Sequence, residues 1–262
     1  MRWALSVVLL SGCGRFAFDS TGDAGGSGGG DVGDGRGVDV AIGHDEDGDG
    51  IPDLSDFCPH IANAMNLDSD GDAVGDICDP DPGTPIQHWI AFSPMIGDDN
   101  TVEAAGASWT TGADTWDFAM GTSPQNLIRT DGVTDVDVWV GEDITTTSGG
   151  SGRQLAIVIR DMNNNPYFYG ELFDAGGGGF LHIENYDGAS YNALASVNYG
   201  AFPMNQSVEL HLQARTSPPT FTIFVDSLGV SAPAAGYVSG EFILIATGNC
   251  SGSVRYIAII GS

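Results

Sequence analysis

From Gln87 onward the sequence predicts an all-β fold, an antiparallel β-sandwich, on three observations. Apolar and polar residues alternate over short runs. The runs are separated by turn chemistry, and no stretch keeps a helical period for more than two turns. Alternation with period two is the mark of a half-buried strand. A dozen or so such strands need two packed sheets to bury their apolar faces.

The runs are distinct enough to take singly. TDVDVWV sets Val136, Val138 and Val140 on one face. RQLAIVIR does the same for Leu155, Ile157 and Ile159, and SVELHLQA for Val208, Leu210 and Leu212. TFTIFVDS aligns Phe221, Ile223 and Val225, and SVRYIAII is the last strand. The separators are Asn163-Asn164-Asn165-Pro166, Gly176 to Gly179, Asp187-Gly188 and Ser217-Pro218-Pro219. Each supplies a residue that tolerates a turn conformation or stops a strand. Asp161 with Asn163 and Asn165 reads as an Asx turn, with a loop calcium site as its alternative.

Ahead of this domain lie two aspartate ladders, DEDGDGIPDLSD and DSDGDAVGDICD. Asp45, Asp47, Asp49, Asp53 and Asp56 occupy positions 1, 3, 5, 9 and 12 of the first; Asp68, Asp70, Asp72, Asp76 and Asp79 repeat them in the second. That spacing turns carboxylates, with the carbonyls of Ile51 and Val74 at position 7, onto one hard cation. Calcium is the expected cofactor. Pro52, Pro59, Pro80 and Pro82 rule out the flanking helices of an EF-hand. Position 6 is Gly50 in the first loop and Ala73 in the second. A sharp turn there favours glycine, so the second site is expected to be the weaker. Cys58 and Cys78 are the pair inside this segment, and a bridge between them would be worth about 3 kcal/mol.

Asp45 to Asp79, with the Cys58-Pro59 pair and Asn63 between the ladders, resembles two thrombospondin type 3 repeats. The resemblance implies calcium on Asp45, Asp47, Asp49, Ile51, Asp53 and Asp56, and on Asp68, Asp70, Asp72, Val74, Asp76 and Asp79. It also implies a disulfide linking cysteines of successive repeats, and with it an exported protein. Residues 45–82 are assigned to these repeats and are expected to form a calcium-stiffened stalk.

The N-terminus, MRWALSVVLLSGC, has Arg2, an apolar run from Trp3 to Leu10, and small residues before Cys13. This is the layout of a signal peptide, and Leu10-Ser11-Gly12-Cys13 resembles a bacterial lipobox. Residues 1–12 are then the expected signal and Cys13 the lipidated residue, anchoring the protein to the outer membrane or cell surface. The apolar run is far below the ~20 residues a spanning helix needs. Residues 13–44 are mostly Gly and Asp and are expected to be a flexible tether.

The formal net charge is −27, from 8 basic and 35 acidic residues. Such a field argues against nucleic acid as a partner.

Residues 86–262 resemble the concanavalin A-like, or laminin G-like, jelly roll. The resemblance rests on TDVDVWVGED, the RQLAIVIRDMNNNPYFYGELFD hairpin, FLHIENYDG, the strand ending in Val225-Asp226, and the closing SVRYIAI. It implies a sheet face that takes carbohydrate or another surface ligand, with an adhesive or recognition role. Trp139, Tyr167, Tyr169, His182, Tyr186 and Tyr191 are the candidate ligand residues. Glucanases of the fold carry an E-x-D-x-x-E strand, which is absent here, and no G-x-S-x-G elbow is present. Glu171, Glu184 and Glu209 stand alone on predicted strands and are expected on solvated faces. Cys250 is expected to be a buried thiol. The protein is read as a non-enzyme; the alternatives are a polysaccharide hydrolase or lyase, and a structural envelope protein without a ligand.

Overall fold

The computed structural model describes residues 43–95, 103–105, 110–112, 114–119, 125–147, 152–160, 167–174, 176, 178–187, 189–237, 240–248 and 250–262. The expected signal peptide, Cys13, the tether as far as residue 42 and the Asp161–Asn165 turn lie outside them.

Among the described residues the strands are β1 (His88–Ser93), β2 (Glu103–Ala105), β3 (Thr110–Thr111), β4 (Trp116–Phe118) and β5 (Gln125–Val133). They continue with β6 (Val136–Thr147), β7 (Arg153–Arg160), β8 (Tyr167–Asp174), β9 (Gly179–Tyr186) and β10 (Tyr191–Gly200). The last five are β11 (Gln206–Thr216), β12 (Pro219–Val225), β13 (Leu228–Pro233), β14 (Gly240–Gly248) and β15 (Cys250–Gly261). The first sheet runs β13-β12-β11-β6-β15-β4-β3, with β1 also on β15; the second runs β10-β9-β8-β7-β14-β5-β2. All pairings are antiparallel.

The alternation read from the sequence is the alternation that is buried. Val136, Val138, Val140, Leu210, Leu212, Phe221, Ile223 and Val225 face Leu155, Ile157, Ile159, Phe168, Leu172, Leu181 and Ile183 in one core. Each large aliphatic side chain buried there contributes roughly 1.5–3 kcal/mol relative to exposure. Phe168 stacks on Phe221 across the sheets at 4.9 Å. Beside them the sheets approach so closely at Gly170 that a Cβ would stand 2.6 Å from Cδ1 of Ile223. Glu142 also lies inward, fully buried, and burial pushes its carboxyl up to about 8.

The segment carrying the aspartate ladders, expected as a calcium-stiffened stalk, is packed on the sandwich. It makes one short helical turn, Asp53–Ser55, and Cys58 and Cys78 are joined by a disulfide. It lies against the outer face of the first sheet. Cys58, Val74 and Cys78 share an apolar cluster with Phe92, Trp139, Tyr256, Ala258 and Ile260. Polar ties add to this: the backbone N–H of Gln87 donates to Asp72 at 3.0 Å, and Arg255 pairs with Glu46 at 3.3 Å. The physical reason is an unpartnered sheet face. The outward residues of β1, β6 and β15 include large apolar groups that water would otherwise meet, and the disulfide-linked segment offers a matching apolar patch.

Candidate functional site

The two aspartate loops are built alike, bond by bond. In the first, Asp45 accepts from the N–H groups of Gly48 and Gly50, both at 2.9 Å. In the second, Asp68 accepts from Gly71 at 2.8 Å and Ala73 at 3.0 Å. Position 9 accepts from the N–H of position 2 in each: Glu46 to Asp53 at 2.9 Å and Ser69 to Asp76 at 2.7 Å. Position 5 ties each loop to the chain just downstream. Asp49 accepts from the N–H of Asn63 at 2.7 Å, and Asp72 from that of Gln87 at the entrance to the sandwich. Left-handed backbone at Gly48, Gly50 and Gly71 makes the turns, and Ala73 adopts it too, at φ 74°.

These bonds engage both oxygens at positions 1, 5 and 9 of each loop. Oδ2 of Asp47, Asp56, Asp70 and Asp79 is buried with no hydrogen bond. They are positions 3 and 12 of both loops. Buried unpartnered carboxylate oxygens are costly, and two in each loop fit an oxygen-seeking divalent cation. Asp45, Asp47 and Asp49 can bring oxygens within 4.8 Å of one another, as can Asp68, Asp70 and Asp72. Burial raises Asp47 and Asp79 to about 6, with neighbouring aspartates adding to the shift. Position 9 has both oxygens engaged in each loop, Asp53 by Glu46 and by Nδ1 of His44 at 2.7 Å, and Asp76 by the N–H and hydroxyl of Ser69. Position 9 commonly reaches the ion through water.

The outer face of the first sheet is closed over its centre. Trp139, expected among the ligand residues, is 5% exposed. The His60 ring lies 4.9 Å from it, and His211 stacks on it at 4.2 Å. It belongs to the docking surface for the repeats rather than to an open groove. His60 is buried with neither ring nitrogen hydrogen-bonded, and burial lowers its pKa to about 3. Beside this area is a hollow lined by Glu209, His211, Gln213, Phe224 and Asp226. Its polar groups largely answer one another. Asp137 accepts from His211 at 2.9 Å, Gln213 at 2.8 Å and Arg215 at 2.5 Å, and Glu209 accepts from the Tyr256 hydroxyl.

The outer face of the second sheet is different. Tyr167, Tyr186 and Tyr191 gather there, with Tyr167 stacked on Tyr186 at 5.1 Å and Tyr186 against Tyr191 at 4.9 Å. The hydroxyls of Tyr167 and Tyr191 are 2.7 Å apart, and Tyr191 is exposed. Next to them Glu171, His182 and Glu184 bring ligand atoms within 4.8 Å of one another. Tyr169 is buried, unlike an open platform residue; its hydroxyl donates to Oε2 of Glu184. Gln154 donates to Oε2 of Glu171 at 2.5 Å. Nδ1 of His182 is 3.7 Å from Glu184, too far for a hydrogen bond, and has no partner. Burial, then the charge of Glu184, raises Glu171 to about 7. Burial would also raise Glu184, but His182 and the Tyr169 hydroxyl outweigh it and hold it below its ordinary value.

Glu171 and Glu184 thus depart from the expected solvated positions: they are 2% and 7% exposed. Taken one by one along the sequence, they look unrelated. The signal that joins them is the hairpin register. Centring β8 and β9 on the glycines near Gly176 sets Glu171 opposite His182 and Tyr169 opposite Glu184. Side chains opposite one another on one face are neighbours. Glu209 is half-buried rather than solvated, and Cys250 is a buried thiol whose Sγ lies 3.9 Å from the carbonyl of Gln154.

The thrombospondin type 3 repeat profile matches residues 22–66 and 67–82, reaching upstream of the first ladder. No curated protein sequence matches the chain. Solved structures share its fold at low identity. The CBM2 module of the Lactobacillus casei BL23 phage J-1 evolved Dit is 8% identical at a TM-score of 0.52, covering 67% of this chain and 96% of its own. The Emp46p carbohydrate recognition domain is 9% identical at 0.52, over 66% and 95%. The VIP36 exoplasmic/lumenal domain, bound to Ca2+ and Man3GlcNAc, is 8% identical at 0.51, over 63% and 86%. The chain therefore joins a segment matched by the thrombospondin type 3 repeat to an all-β jelly-roll sandwich.

Proposed function

We propose that this is an exported surface protein whose sandwich binds carbohydrate on the outer face of the second sheet, beside repeats that bind calcium. One observation carries the reading. The outer face of the second sheet holds the Tyr167, Tyr186 and Tyr191 cluster next to buried Glu171 and Glu184 and half-buried His182. Sugars present apolar ring faces and rows of hydroxyls. Aromatic side chains suit the first, and carboxylates and imidazole suit the second. The Emp46p domain is a carbohydrate recognition domain and the VIP36 domain holds Man3GlcNAc, both on sandwiches of this fold, which agrees with the reading.

Calcium is assigned to Asp45, Asp47, Asp49, Ile51, Asp53 and Asp56, and to Asp68, Asp70, Asp72, Val74, Asp76 and Asp79. The buried unpartnered Oδ2 atoms support it. Lipidation at Cys13 would hold the protein at the outer membrane, with residues 13–44 as its tether; the lipobox-like Leu10-Ser11-Gly12-Cys13 supports that step. Among the described residues no helix is long and apolar enough to cross a membrane.

A glycan array with the calcium-loaded full chain, paired with an assay for released reducing sugar, tests the proposal. Binding without release is expected. Release would replace it with a hydrolase, and a blank array would leave a structural envelope protein.

A further inference from the structure

The aspartate loops are not the sole place where this chain gathers metal-ligating groups. On the second sheet Glu171 and Glu184 are buried close together, and neither is ion-paired to an arginine among the described residues; the chain has no lysine. Two buried carboxylates without a cation repel each other and lose hydration. The groups around them are placed in a telling way. The Tyr169 hydroxyl holds Oε2 of Glu184, and the Gln154 amide holds Oε2 of Glu171. Metal-binding carboxylates are commonly oriented by such outer hydrogen bonds, which steady one oxygen and leave the other for the ion. Between the strands Nδ1 of His182 is closed to solvent and has no partner, although Oε1 of Glu184 is 3.7 Å away. That imidazole nitrogen gives this group a character the aspartate loops lack.

We propose that Glu171, His182 and Glu184 form a binding site for a divalent transition-metal ion, of the zinc or manganese class, on the outer side of the second sheet. Imidazole with carboxylate favours these ions, whereas calcium takes oxygen donors. Donors bonded to zinc at about 2.0–2.2 Å stand roughly 3.4 Å apart at tetrahedral angles. The present donors lie within 4.8 Å of one another, so small side-chain rotations close the set. Three protein ligands leave a coordination position for water or a ligand oxygen. The site does not rest on the glycan reading, because the metal is measured with no sugar present.

The test is calorimetric titration of the full chain, free of any polyhistidine tag and saturated with calcium, with ZnCl2 and separately with MnCl2. One equivalent of zinc or manganese beyond calcium is expected. His182→Ala should weaken it at least tenfold, and Glu184→Gln, which keeps the shape of the side chain, should do so as well. Glu209→Gln on the other sheet should leave it unchanged. Circular dichroism melts of each variant separate loss of metal from loss of fold. Absence of the additional equivalent, or an affinity unmoved in both folded site variants, would overturn the assignment.

Discussion

The two outer faces of the sandwich are made from the same kinds of residue and are put to different ends. The first carries His211, Tyr256 and Glu209; the second carries His182, Tyr167, Tyr169, Tyr186, Tyr191, Glu171 and Glu184. On the first sheet His211, Trp139, Tyr256 and Glu209 are engaged: His60 covers the tryptophan, and Tyr256 donates to Glu209. On the second sheet Tyr191 is exposed and Nδ1 of His182 lacks a partner. A face whose aromatic groups meet the disulfide-linked repeats becomes an internal interface. On the second face Tyr191 is exposed, while Tyr169, Glu171 and Glu184 beside the tyrosine cluster are buried.

Trp139→Ala strikes hardest at this contrast. It removes the centre of the docking surface and is expected to cost about 3–5 kcal/mol. Denaturant unfolding in saturating calcium measures it, with limited proteolysis to show the repeats released. Tyr191→Ala on the open face should change stability by under about 0.5 kcal/mol. Equal costs for the two would erase the distinction.

Next comes the disulfide. Replacing Cys58 and Cys78 together by serine relaxes a loop spanning 20 residues and should cost about 3 kcal/mol. The loss should show first as faster cleavage between Asp45 and Asp79, because the sandwich keeps its own core.

His60 makes the covered face sensitive to pH. Its folded pKa is lowered to about 3 from 6.5, chiefly by burial and then by His211. Above pH 6.5 the ring is neutral in both states and nothing is lost. Between pH 6.5 and about 3 the unfolded ring takes a proton that the folded ring refuses. Stability therefore falls on acidification, by about 1.4 kcal/mol per unit. Other carboxylates titrate too, so the informative quantity is the difference from His60→Phe, which cannot take the proton. A difference that stays constant from pH 6.5 to 4.5 would show that His60 is not sealed under the repeats.

The smallest effect separates the two calcium loops from each other. Ala73 holds φ 74° where Gly50 holds 95°. Left-handed backbone costs a residue with a Cβ about 1 kcal/mol. Ala73→Gly should tighten the second calcium site about fivefold in a calcium titration; an unchanged curve would contradict it.

What the sequence made legible was whatever repeats with a fixed period. The period-two runs at Val136–Val140, Leu155–Ile159, Val208–Leu212 and Phe221–Val225 name the core, because alternation and burial are one constraint. The aspartate ladders name their positions for the same reason. The docking of the repeats was not legible. It depends on His60, Val74 and the cystine meeting Trp139 and Tyr256, residues far apart in sequence and without a shared period. Trp139 looked like a ligand platform because an outward aromatic on a strand reads the same whether water or another segment lies over it. The pairing of Glu171 with His182 and Glu184 lay between these cases: it was available from the hairpin register, but only once both strands were written against each other.

If the covered and open faces differ as described, ligand enters at the second sheet and not the first. The most direct measurement is the affinity of the calcium-loaded chain for the strongest glycan on the array, in two sets of variants. Tyr186→Ala and Tyr191→Ala represent the open face, and Glu209→Gln and Gln213→Ala the face beside the repeats. At least a tenfold loss is expected in the first set and a change within twofold in the second. The reverse pattern, or no glycan bound by the parent chain, would contradict entry at the second sheet.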